Sequence, residues 1–372
     1  CGLPTSSALE SGSVREGVVD EKYELGPALG AGATGTVHAA TDVRTGDRLA
    51  LKLFHPHLVD GAPQVRARFL REVQVASGFD HEHVVRVLEA GEASDGTLYI
   101  AMELLEGATL DARLNDEVTR GEVIEWLAQI LPALQVAHDR GVVHRDLKPE
   151  NLFVTDPPED PPVVKLLDFG IARQLAGNQI TRTGTTVGTP AYMSPEQALR
   201  PATVDGRADL WSFGVMLYEA ITGELPFDDE SPHALILRAS SEPHVPVAER
   251  CPGVPLRLSK LVDRLLEKDP AQRPLDAAEV AAVLEGTLGD PNAEDFLEEP
   301  PGAASARRDA PPLLISSAPP PPASTVTLAE EEAASAASAP ESAAERDTAA
   351  EPPPRPRPRL ATAVMTAVLL AG

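Results

Sequence analysis

The chain has 372 residues, 42% of them hydrophobic, enough for a substantial core, yet it carries 36 prolines and only 4% aromatic residues. That imbalance places a sizeable segment outside any core. Its 57 acidic residues outweigh 32 basic ones for a formal charge of -25, which argues against a nucleic-acid partner and reads as solubility.

Residues 1–22, rich in Gly, Ser and Glu, read as a flexible leader. With neither an initiator methionine nor an apolar opening segment, a fragment or trimmed chain is expected, and Cys1-Gly2 as a processed lipoprotein terminus is the weaker alternative. Cys1 and Cys251 lie far apart without metal-ligand spacing, so free thiols in a reducing cytosol are expected.

Gly30-Ala31-Gly32-Ala33-Thr34-Gly35-Thr36-Val37 follows Tyr23–Leu29 and has the form GxGxxGxV. Alone it is a weak signal, because the same glycines open a dinucleotide-binding βαβ unit. Here Thr36–Thr41 reads as a strand, Arg44–Asp47 as a turn and Leu49–Phe54 as another strand, which is a hairpin series and not βαβ. Alternation points Ala50 and Lys52 to one face. Lys52 would otherwise be an ordinary surface lysine.

Apolar residues spaced by three and four predict a helix over 63–78, with Glu72 among them either as a partner for Lys52 or as a solvated helix glutamate. Residues 84–91 and 97–102 read as strands, and Glu103–Gly107 as a connector. A long amphipathic helix is expected over 122–140, bent but not ended by Pro132.

It leads into His144-Arg145-Asp146-Leu147-Lys148-Pro149-Glu150-Asn151. Within eight residues this supplies a potential base, a lysine able to neutralise phosphate and an amide able to bind magnesium. Strands 152–154 and 163–167 flank a proline-rich surface loop, and the second delivers Asp168-Phe169-Gly170, a carboxylate at a strand end suited to magnesium. Residues 171–196 lack an apolar period and contain Thr181, Thr183, Thr185, Thr186 and Thr189 before Ser194-Pro195-Glu196. Any one of those threonines is also explained as a loop hydroxyl.

A hydrophobic helix from Asp209 to about Gly223, a buried turn at Leu225–Phe227, a helix over 256–268 and another from Asp276, with Glu279 at capping-box spacing, complete the packed unit. Residues 286–360, rich in Ala, Pro, Ser and Glu, read as a disordered linker. Residues 361–372 are apolar and follow Arg355, Arg357 and Arg359; twelve helical residues reach about 18 Å, so they read as the start of a truncated membrane helix, with a sticky tail as the alternative.

Gly30, Gly32, Gly35, Lys52, Glu72, Asp146, Lys148, Asn151, Asp168, Glu196, Asp209 and Arg273 occur in order over residues 23–285, and on these motifs the chain resembles the eukaryotic-like (Hanks-type) serine/threonine protein kinases, specifically their bacterial membrane-anchored members. The resemblance implies an α+β bilobal fold with a strand-rich N-lobe and a helical C-lobe, ATP with Mg2+ (or Mn2+) between them, and transfer to protein serine or threonine. It implies Asp146 as the group that orients the substrate hydroxyl, Lys148 against the transferring phosphoryl group, Asn151 and Asp168 on metal, and Lys52 on the phosphates with Glu72 behind it.

Also by resemblance, Met102 is the gatekeeper, the backbone of Glu103 and Leu105 meets adenine, and Leu29, Val37, Ala50 and Phe153 enclose it, although packing alone would explain these apolar residues. Ser194-Pro195-Glu196 departs from the commoner A-P-E but leaves Glu196 to pair with Arg273, and Asp209 braces the catalytic loop. Lys148 and Thr189 follow the serine/threonine pattern. Arg145 is the expected receptor for a phosphate on Thr181 or Thr183, and a kinase-domain dimer would allow autophosphorylation in trans. The retained Lys52, Asp146 and Asp168 argue against a pseudokinase scaffold, the glycine loop and threonine-rich segment against an aminoglycoside-type kinase, and the strand after Gly35 against an oxidoreductase.

Overall fold

The computed structural model describes residues 17–32, 34–56, 69, 73, 78–157, 160–167 and 190–301. Its first sheet has the order β1-β2-β3-β4-β6-β5, with β1 Val18–Val19, β2 Tyr23–Gly32, β3 Gly35–Asp42, β4 Arg48–Phe54, β5 Val87–Glu92 and β6 Leu98–Glu103, all antiparallel. Pro27 cannot donate to the ladder, and the β2–β3 register shifts between Leu25 and Ala28. Gly35 is a true steric requirement, since a Cβ there would lie 2.0 Å from the carbonyl oxygen of Leu53.

On β4 the period of two sorts the side chains. Ala50 and Phe54 join the main core, whereas Leu49 and Leu51 join a smaller cluster on the other face with Val19, Tyr23 and Tyr99. That cluster is roofed by polar contacts. The Tyr23 and Tyr99 hydroxyls donate to Glu89 and Asp20, and Lys22 donates to Glu89 at 2.6 Å. This corrects the end of the leader expected to be flexible through residue 22: Val18 and Val19 pair with β2, and Val19 packs into the cluster on its outer face.

The helical lobe, which includes the short α1 (Leu110–Arg113), α6 (Pro232–Ser241) and α7 (Val247–Arg250), is built on α5 (Arg207–Thr222), almost wholly buried and ended by Gly223 at φ 73°, a left-handed C-cap. Against it pack α2 (Arg120–Gln129) and α8 (Leu256–Leu265), and α9 (Ala277–Leu288) lies on α2, α3 (Leu131–Asp139) and α8. Thr119 and Glu122 cap α2 reciprocally. Leu131–Asp139 forms a separate α3, which corrects the single bent helix expected over 122–140. Pro132 has no N–H to continue the ladder, so the hydrogen bonding breaks at Ile130 while the backbone stays right-handed. At α9 the capping differs in detail: Asp276 accepts the Glu279 N–H, but Glu279 reaches the N–H of Leu275.

A small sheet, β7 (Gly107–Thr109), β8 (Leu152–Thr155) and β9 (Val164–Leu166), lies where the lobes meet. β9 is bonded to the strand-rich lobe as well, through Val85 N–H to the Leu166 carbonyl at 2.9 Å and Leu166 N–H to the His83 carbonyl at 3.0 Å. Of the helix expected over 63–78, only Phe69 and Val73 are described before Gly78, and both are helical and fully buried, as their spacing of four requires.

The stretch expected to be linker from residue 286 is helical at its start. α9 continues to Leu288, and α10 (Glu294–Glu298) docks on α2. Buried Arg120 holds α10, donating to the Ile221 carbonyl at 3.1 Å and to Glu299, with its guanidinium 4.9 Å from the Phe296 ring. Composition averaged over 286–360 hides Phe296 and Leu297, the two side chains that do this packing. Among the described residues no helix is long and apolar enough to cross a membrane, and residues 361–372 lie outside them.

Candidate active site

The loop from His144 to Asn151 is fixed from below by Asp209, which is fully buried at the start of α5. Its carboxylate accepts the backbone N–H groups of His144 and Arg145, each at 2.8 Å, and lies 2.8 Å from His138 Nε2. Burial pushes the Asp209 carboxyl up, but the His138 contact and these N–H donors outweigh it and hold the group below the usual carboxylate range. Arg145 takes φ 65°, the left-handed region that a side chain disfavours, so the loop turns sharply just before Asp146.

Lys148 Nζ lies 3.6 Å from Asp146 Oδ2, and Asn151 Nδ2 donates to the same carboxylate at 3.0 Å and to the Asp146 carbonyl at 2.6 Å. Both donors of Asn151 face Asp146, which leaves its Oδ1 as a neutral oxygen ligand. The three expected residues of this loop are thus brought together. Asp168, Thr181, Thr183, Thr189 and Glu72 lie outside the described residues.

A cavity of about 210 Å³ is lined by Leu29, Gly30, Val37, Ala50 and Lys52 from the sheet, and by Met102, Glu103, Leu105 and Phe153. Val85, Leu104, Thr109 and Leu167, not expected from the sequence, complete it. Only their place beside the connector and before Asp168 hinted at them. Ala31, Gly32 and Gly35 stay in the β2–β3 turn, where no Cβ would be obstructed at Gly30 or Gly32. Lys52 is buried, with its ammonium 5.3 Å from the Phe54 ring.

Glu103 ties the connector to both lobes. Its N–H donates to the Arg86 carbonyl, and its carboxylate accepts from Arg86 N–H at 2.9 Å and from Lys165 at 2.8 Å.

Beyond the threonine-rich segment the chain is anchored again. Arg273, with no exposed side-chain surface, makes a two-pronged bond to Glu196 at 2.6 and 2.9 Å. Tyr192 donates to Glu219 at 2.6 Å, and burial beside that carboxylate holds its phenol far above the usual range. Gln197, which no motif flagged, donates to the Arg145 carbonyl at 2.7 Å.

A glycine-turned hairpin above a buried lysine, and below it a loop presenting Asp, Lys and Asn across an apolar cleft, define a bilobal phosphotransfer domain. Comparison with known proteins narrows the class: the family model for the protein kinase domain matches residues 23–282, and this chain belongs to that family. It is 38% identical over 276 residues to serine/threonine-protein kinase Pkn1 of Myxococcus xanthus, covering 74% of this chain and 39% of that protein. Serine/threonine-protein kinase PknB of Mycolicibacterium smegmatis is 39% identical over 273 residues, covering 72% and 43%. The kinase domain of Mycobacterium tuberculosis PknI matches in three dimensions with TM-score 0.60 and 27% identity, covering 74% of this chain and all of that domain. The chain thus spans about two fifths of the length of these curated relatives.

Proposed function

We propose that this chain is an ATP-dependent serine/threonine protein kinase whose catalytic group is Asp146. The observation that carries the reading is the convergence of Lys148 and Asn151 on the Asp146 carboxylate. Asp146 accepts the hydroxyl hydrogen of a protein serine or threonine and directs its oxygen at the γ-phosphorus of ATP. The new P–O bond forms as the bond to the β-phosphate oxygen breaks, and Lys148 neutralises charge on the moving phosphoryl group.

Adenine occupies the cavity between Val37, Ala50 and Phe153, with Met102 behind and the backbone of Glu103 and Leu105 along its edge; Lys52, backed by Glu72, holds the α- and β-phosphates. The donor set suits a hard divalent ion, since Asn151 keeps a free amide oxygen and Asp168 adds a carboxylate. Asn151 and Asp168 would hold magnesium, or manganese in its place, which would supply charge neutralisation for the phosphates.

Regulation belongs to the same reading. Phosphate on Thr181 or Thr183 pairs with Arg145 and orders the segment up to Thr189, and a second copy of the domain carries out the modification. The apolar run from Ala361, preceded by three arginines, attaches the chain to the cell membrane with the kinase domain in the cytoplasm.

Radiolabelled ATP and a generic basic protein test the catalytic reading. Lys52→Met and Asp146→Asn are expected to lower labelling by at least a hundredfold, and equal labelling by all three proteins would refute it. Mass spectrometry of active protein should find phosphate on Thr181 or Thr183; full activity in the double alanine variant would end the regulatory reading.

A further inference from the structure

Arg145 is a strained residue gripped at both backbone poles. Its N–H is held by Asp209 from α5, and its carbonyl accepts from Gln197 Nε2 at 2.7 Å. Gln197 belongs to α4 (Pro195–Leu199), the helix that follows the activation segment, and is more than nine-tenths buried.

Its amide orientation is dictated by its other contacts. Oε1 accepts from the buried Ser194 N–H at 3.1 Å and from the Ser194 hydroxyl at 3.2 Å, so Nε2 has to face Arg145. A flipped amide would set donor against donor at Ser194 and acceptor against acceptor at Arg145. α4 is itself anchored by the Glu196–Arg273 pair one residue away.

The geometry points to Gln197 as a positioning residue for phosphoryl transfer: it carries the placement of the Ser194-Pro195-Glu196 anchor to the Arg145 carbonyl, and so to the carboxylate of Asp146. An ordered segment end holds the left-handed turn; release of that end frees the carbonyl, and Asp146 loses its aim. The capping role within α4 needs only Oε1, whereas the bond to Arg145 has no structural use inside that helix. This inference rests on Asp146 being the catalytic group.

The test compares wild type, Gln197→Met, Gln197→Glu and Asp146→Asn for kcat, KM for ATP, ADP affinity by calorimetry and thermal midpoint. Gln197→Met preserves length without polar atoms, and Gln197→Glu keeps the acceptor for Ser194 while removing the donor to Arg145. Both are expected to lower kcat about tenfold, equivalent to about 1.4 kcal/mol, with KM for ATP and ADP affinity within twofold of wild type.

If Gln197→Met does not fold, Gln197→Glu decides. A kcat within twofold of wild type in the folded variants overturns the inference, as does a parallel fall of kcat, ADP affinity and thermal midpoint, which marks a merely structural residue. Wild type that binds ADP yet transfers no more phosphate than Asp146→Asn defeats the catalytic reading instead.

Discussion

Asp209 shows how one buried carboxylate is made tolerable and useful. Uncompensated, its charge would be prohibitive, but three hydrogen bonds from His138, His144 and Arg145 return what water supplied. Asp209→Ala removes the carboxylate that accepts the His144 and Arg145 N–H groups and is expected to cost about 3–5 kcal/mol in urea unfolding. Its folded pKa lies below the ordinary 3.8, so its stabilisation is full above that value and is lost as pH falls through the folded one. The gap between wild type and Asp209→Ala should therefore close in acid below pH 4.

Lys268 has the opposite sign. Burial, with Arg273 beside it, pushes its ammonium down to about 8 from 10.5, while the Phe227 ring 3.8 Å away returns part of the cost. Between those values the unfolded chain binds more protons, so stability rises with pH. Lys268→Met is expected to raise the thermal midpoint at pH 7, by an amount that shrinks as pH climbs from 8 toward 10.5.

At the scale of elements, the ends of segments carry the argument. Three breaks in regular structure have a named cause: Pro27 in β2, Pro132 between α2 and α3, Gly223 after α5. The last described helix, α10, is too short to stand alone and depends on its clamp. Phe296→Ala removes the ring beneath Arg120 and is expected to lower stability by about 3 kcal/mol, read from the urea midpoint. Unchanged stability would mean that α10 merely rests on α2.

For the whole molecule, the candidate site draws residues from both lobes, and the lobes share a seam at His83–Val85 and β9 plus the Glu103–Lys165 pair. The cavity lies beside that seam, and one continuous core runs through both lobes. On the membrane reading proposed above, a chain ending after residue 301 is expected to keep the thermal midpoint and kcat of the full chain and to bind lipid vesicles less than the full chain does; equal vesicle binding by both would refute that reading, and loss of activity on truncation would show that the tail acts on the site.

Much of the site was legible because its chemistry depends on local spacing. The eight residues from His144 to Asn151 form one loop, Ala50 and Lys52 share a face through the two-residue period, and glycines mark the tight hairpin turn. What spacing cannot express is which distant groups meet. Glu196 and Arg273 were linked only by resemblance, and Gln197, Val85 and the Arg120–Phe296 clamp carried no motif at all. The sequence by itself determined the order of elements and the lobe each belongs to, because periodicity and turn chemistry act over a few residues, and its motifs singled out the candidate reacting side chains. Only the tertiary structure decided that Asp209 and Gln197 grip Arg145 from two sides, since such contacts follow from packing between elements over fifty residues apart.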